Sequence, residues 1–162
     1  MYRTFAIGTL AALTLSTATF ADDRATVKSI DIDVELDAIE NPRAAAYWTT
    51  IADDLENAIV KLVTDRIADD GVEVKIDLQE VELSGGFAEA SGLAETRLVG
   101  DVAMIHATDN SRFGAYTLTV DINAAKPLLP QDVDMTTLTA DSRVYYDAMI
   151  QTFAQSVVDR LK

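Results

Sequence analysis

Two stretches of this chain alternate apolar and polar residues with period two, and that pattern leaves few folds open. From Val27 to Asp37, Ile30, Ile32, Val34 and Leu36 fall on one side while Asp31, Asp33, Glu35 and Asp37 fall on the other. From Val72 onward, Val72, Val74, Ile76 and Leu78 oppose Glu73, Lys75, Asp77 and Gln79. Side chains of a strand point alternately to its two faces, so each stretch is a strand buried on one face only. The phase slips after Gln79, because Glu80 takes an inward position ahead of Val81 and Leu83, and a bulge at Gln79 to Glu80 accounts for the slip.

The segment between these strands has a different period. Trp48, Ile51, Ala52, Leu55, Ala58, Ile59, Leu62 and Ile67 recur every three or four residues, which is the stripe of an amphipathic helix. Asn41-Pro42 supplies a start, with a capping amide and a proline whose missing N–H costs nothing in the first turn, and Gly71 supplies a stop. Farther on, Ser84 to Gly92 is small, polar and rich in glycine, and reads as a loop. A third strand is expected from about Arg97 to Ala107 and a fourth from Ala115 to Asn123, joined by the turn Thr108 to Gly114. Lys126 to Pro130 cannot continue a ladder and opens an irregular crossing. A last helix begins near Asp141 and buries Tyr146, Met149, Ile150, Phe153, Val157 and Leu161.

The order βαβββα, with one apolar face per amphipathic element, predicts an α+β two-layer sandwich with two helices on one face of a four-stranded mixed sheet. Strands one and two are expected to be parallel and strands two to four antiparallel. Sheet order 1-2-3-4 is preferred to 2-3-4-1. A chain of 162 residues with 49% hydrophobic content has room and apolar surface for one such domain.

The amino terminus is an address. Arg3 precedes the apolar, uncharged stretch Phe5 to Leu15, and Thr19-Phe20-Ala21 ends in a small residue suited to signal peptidase. The stretch is shorter than the roughly 20 residues that span a bilayer. Residues 1–21 are therefore expected to be a signal peptide cleaved after Ala21, leaving 22–162 as a single domain. There is no cysteine to carry a lipid or a disulfide, so no membrane anchor is expected after cleavage. A periplasmic, soluble, acidic protein is the expected product.

Charge and residue types narrow the chemistry. Thirteen basic side chains against 27 acidic ones give −14, which repels phosphate backbones and excludes nucleic acid as a partner. The lone histidine, His106, is expected to bond locally near a strand end, because no Gly-x-Ser-x-Gly accompanies it. No phosphate-cradling glycine motif occurs, and no cofactor or catalytic residue is assigned. Asp65, Asp69 and Asp70 are weak metal candidates, weighed against the simpler reading of Asp70-Gly71 as a turn with Arg66 screening the charge. Successive members of Asp31, Asp33, Glu35 and Asp37 lie about 6.5 to 7 Å apart along their strand, too far for neighbours to share an ion without help from another strand, and read as a solvated face.

Strand three departs from the pattern by being apolar on both sides. Leu98, Val102 and Met104 fall on one side and Val99, Ala103, Ile105 and Ala107 on the other. Its outer face needs a cover, supplied either by the segment Lys126 to Thr139 or by a protein partner, including a second copy in a homodimer. The candidate binding surface is Val99, Ala103, Ile105 and Ala107 with Thr117 and Thr119 of the next strand and Phe87 of the loop.

The element order together with the export signal resembles small exported α/β domains of bacterial envelope proteins, such as the amino-terminal domain of TolB and the soluble parts of some outer-membrane lipoproteins. That resemblance implies a non-enzymatic envelope role and transfers no functional residue. The expected function is accordingly binding or structural, through the outer sheet face. The alternative is a carboxylate-based cation-binding protein or hydrolase.

Overall fold

The computed structural model describes residues 24–34, 49–82, 97–135, 138–139 and 142–161, with the side chains of 80–82 left aside. Four strands, β1 (Val27–Val34), β2 (Val72–Glu82), β3 (Arg97–Ile105) and β4 (Gly114–Asp121), form one sheet in the order β1-β2-β3-β4. β1 runs parallel to β2, and β2, β3 and β4 are antiparallel neighbours. The preferred strand order and directions are thus the observed ones. The register of β2 against β3 shifts between Leu78 and Glu80, placing the expected bulge at Gln79.

The described residues hold three α-helices: α1 (Ile51–Val63), the single turn α2 (Ile122–Ala125) and α3 (Arg143–Val158). α1 packs on β1, and α3 packs on β3, β4 and α1, so the two long helices share one face of the sheet. Val72, Val74, Ile76 and Leu78 of β2 and Leu98, Val102 and Met104 of β3 meet Ile51, Leu55 and Ile59 of α1 and Tyr146, Met149 and Phe153 of α3 in one core. The apolar positions of β2 from Val72 to Leu78 are buried, while Ile30, Ile32 and Val34 of the edge strand β1 and Leu62 of α1 pack against the core half-buried.

Several boundaries differ from the sequence reading, each for a local reason. α1 ends at Val63 and passes into a 3-10 turn, Thr64–Arg66, where the Thr64 hydroxyl donates to the carbonyl of Val60 at 2.8 Å. Gly71 therefore does not stop the helix. It sits where a Cβ would lie 2.5 Å from the backbone carbon of Val27, so only glycine lets the turn close onto β1. Ile67 is bridged to Val27 in extended backbone and is 54% exposed, not part of the buried stripe. Arg66 turns inward and is buried, so it does not screen Asp65, Asp69 and Asp70. β4 stops at Asp121, whose carboxylate accepts from the N–H of Ala124 and starts α2 in place of the last strand residues. Ser142 caps α3 by accepting from Tyr145 N. The proposed helix start at Asn41-Pro42, Trp48, Leu36 and residues 1–21 lie outside the described residues.

Candidate functional site on the outer sheet face

The face turned away from the helices is organised in rows across the strands. Asp31 of β1 aligns with Lys75 of β2, Ala103 of β3 and Ala115 of β4. The next row is Asp33, Asp77, Asp101 and Thr117. Neighbouring strands are about 4.8 Å apart, so three carboxylates stand side by side across three strands. Like charges directly opposite one another disfavour the sheet. Two oxygens of Asp101 are occupied: Thr117 Oγ1 donates to Oδ1 at 2.6 Å and Gln79 Nε2 to Oδ2 at 2.8 Å.

The paired alanines Ala103 and Ala115 leave a depression beside the acidic row. It is a groove of about 510 Å³ lined by Asp33, Lys75, Asp77, Asp101, Ala103 and Thr117, among others. Its floor is methyl groups and its wall is carboxylate. Val99, Ala103 and Ile105 are half-buried and Thr117 and Thr119 exposed. These five belong to one face, Val99 pairing with Thr119 in the same register that brings Ala103 to Ala115. Ala107 lies past the strand end in an exposed bend, and Phe87 is outside the described residues. The segment from Lys126 packs Leu129 and Leu138, both half-buried, against the core and leaves Leu128 and Met135 exposed.

The remaining candidates have structural partners. His106 Nδ1 accepts from the N–H groups of Asp109 at 3.0 Å and Thr108 at 3.3 Å, which makes Nε2 the protonated nitrogen that donates to the carbonyl of Asp70 at 2.8 Å. The ring thereby ties the end of β3 to the turn before β2, the local bonding expected of it. Ser111 donates through both its N–H and its hydroxyl to Asp109 Oδ1, and these bonds hold the Asp109 carboxyl below its usual range. Asp65 pairs with Arg24 at 3.6 Å, while Asp69 and Asp70 form the turn ahead of Gly71. Among the described residues no group of three or more His, Asp or Glu side chains is placed to hold a metal ion. None of the helices among them is long and apolar enough to cross a membrane.

The acidic row was missed by the sequence reading, which placed Asp33 and Asp77 on outer faces without aligning them. The alternation alone carries the face of each residue. The pairing of Asp33 with Asp77 and of Asp77 with Asp101 depends on strand order and register.

No family model matches the chain, and no curated protein does. Among solved structures it is similar to a DUF330 protein from Xanthomonas campestris, with 16% identity, a TM-score of 0.51, and coverage of 90% of this chain and 88% of that one. At that identity the likeness shows the fold alone. A PelC dodecamer from Paraburkholderia phytofirmans aligns with 80% of this chain and 87% of its own at 12% identity, with a TM-score of 0.34. The DUF330 protein is not described as a TolB domain.

Proposed function

We propose that this is an exported periplasmic binding module, without catalysis of its own, whose outer sheet face takes a basic segment of a partner protein. The observation that carries the reading is the groove itself, with an alanine floor beside a row of three aspartates. A lysine or arginine side chain fits that chemistry, its aliphatic stem on the methyl groups and its cation at the carboxylates. Arrival of a positive charge offsets the repulsion the row imposes on the sheet. Lys75 stands in the adjacent row and neutralises only part of it. Charge also decides between partners, since a second copy docked by the same face would set one acidic row against another, on chains of net −14 each. A basic partner is favoured over a homodimer.

The test is a photoreactive residue at position 103 in the chain carrying its own amino terminus, irradiated in living cells. The expected result is one discrete adduct in the periplasmic fraction, absent when the probe replaces Lys61 on the exposed side of α1 and lost in Asp101→Lys. Equal adducts from both positions, or none from position 103, would overturn the proposal.

A further inference from the structure

At one end of the sheet β1, β2 and β4 begin and β3 ends, and both long helices finish there. A cleft of about 150 Å³ opens at this end, lined by Ala25, Ser111, Arg112, Gly114, Arg160 and Leu161, among others. It is far from the acidic row in chemistry: two of its walls are guanidinium groups. Arg112 is engaged with Asp109 at 3.4 Å. Among the described residues no carboxylate pairs with Arg160, which stacks over the ring of Tyr116 at 4.3 Å from the centroid.

A third arginine adjoins the cleft. Arg66 is only 6% exposed, and its Nη1 donates to the carbonyls of Ala25 at 3.4 Å and Leu161 at 3.3 Å, two residues of the cleft wall. Its Nε and Nη2 have no hydrogen-bond partner among the described residues. A buried cation with two unmatched donor nitrogens is expensive, and the long carbonyl bonds on the third nitrogen compensate little of that cost. In a chain with twice as many acidic as basic side chains, no carboxylate among the described residues pairs with either Arg66 or Arg160.

We propose that this cleft is a site for a small tetrahedral oxyanion, a phosphate group, held by Arg160 and Arg112, with the buried charge of Arg66 behind the Ala25 and Leu161 wall adding to the attraction. Guanidinium forks match the several oxygens of a phosphate better than they match a halide, and burial of Arg66 strengthens the attraction. The volume accommodates the headgroup and excludes a nucleotide. Phe113 stands at the mouth and is 60% exposed, which suits a phosphate carried on a lipid as well as a free one. The site is separate from the outer-face groove and does not depend on that face binding anything.

Inorganic phosphate is titrated into the purified protein against sodium chloride of equal ionic strength, with melting temperature as the readout, alongside sedimentation with phosphatidylglycerol or phosphatidylcholine vesicles. A free-phosphate site gives a saturable rise in melting temperature with phosphate that chloride does not reproduce. A headgroup site gives sedimentation with phosphatidylglycerol alone. In either case Arg160→Gln, at an exposed position past the end of α3, should weaken the response at least tenfold while the fold persists. Arg66→Gln risks the fold itself and serves only as a second variant. Phosphate indistinguishable from chloride together with no vesicle selectivity, or a response that Arg160→Gln leaves unchanged, overturns the site.

Discussion

The Tyr146 hydroxyl donates to Asp54 Oδ2 at 2.6 Å, and Thr50 Oγ1 donates to the same oxygen at 2.9 Å. The first bond ties α3 to the first turn of α1, and the second is internal to that turn. The hydrogen bond from Tyr146 holds the Asp54 carboxyl below its usual range, while burial, reinforced by that carboxylate, pushes the Tyr146 phenol well above its own. A depressed carboxyl contributes stability above its unfolded pKa near 4 and loses it as pH falls. A raised phenol contributes below its unfolded pKa near 10 and loses it as pH rises through the folded value. Tyr146→Phe should therefore cost about 1.5 kcal/mol in urea melts at pH 7 and flatten both limbs of the pH profile. An unchanged profile would mean the bond adds nothing. Tyr146 was legible as a core residue from its helical spacing, but its link to Asp54 was not, because the two lie in elements far apart in sequence. Arg66 was misread for a related reason: an arginine between acidic residues reads as a solvated charge, and its burial follows from where Ala25 and Leu161 come to lie.

At the scale of elements, period two identified β1 and β2 and even the bulge at Gln79, since an inward Glu80 has no other account. The end of α1 was illegible because nothing in Val63-Thr64 breaks a helix, and Gly71 looked like the missing stop. Its true role is close packing, and Gly100 has a similar one: a Cβ there would come within 2.9 Å of Leu78 Cδ2 and 3.1 Å of Phe153 Cζ, so its absence seats the aromatic ring of α3 on the sheet. Gly114 has open space around its Cα. Gly71→Ala should lose at least about 2 kcal/mol by overpacking against backbone, Gly100→Ala about 1 kcal/mol because Leu78 Cδ2 and Phe153 Cζ are side-chain ends that can shift in part, and Gly114→Ala should stay within about 0.5 kcal/mol of the parent. Denaturation midpoints of the three variants rank these roles. Equal losses at all three would remove the packing argument.

On the scale of the whole molecule, two helices on one side of a mixed sheet produce two surfaces of opposite character. One is closed over a core in which Leu55, Val74, Leu78, Leu98, Met149 and Phe153 have no exposure. The other presents the acidic row and the strip Val99, Ala103 and Ile105. Sandwich architecture and strand order were legible because every amphipathic element has to bury its stripe. The binding chemistry was legible only in part, as an apolar strip on β3, because the carboxylates that give it a sign are assembled by register from three strands. That the sheet buries one face and leaves the other for a partner is tested most directly by a pair of thermal melts, on Ile105→Lys and Val102→Lys. These residues of β3, three positions apart, point to opposite faces. Ile105→Lys should melt within a few degrees of the parent, while Val102→Lys, forcing an unpaired ammonium into the core, should abolish cooperative unfolding. Loss of the fold in Ile105→Lys would contradict the assignment and show that the outer face is a second core.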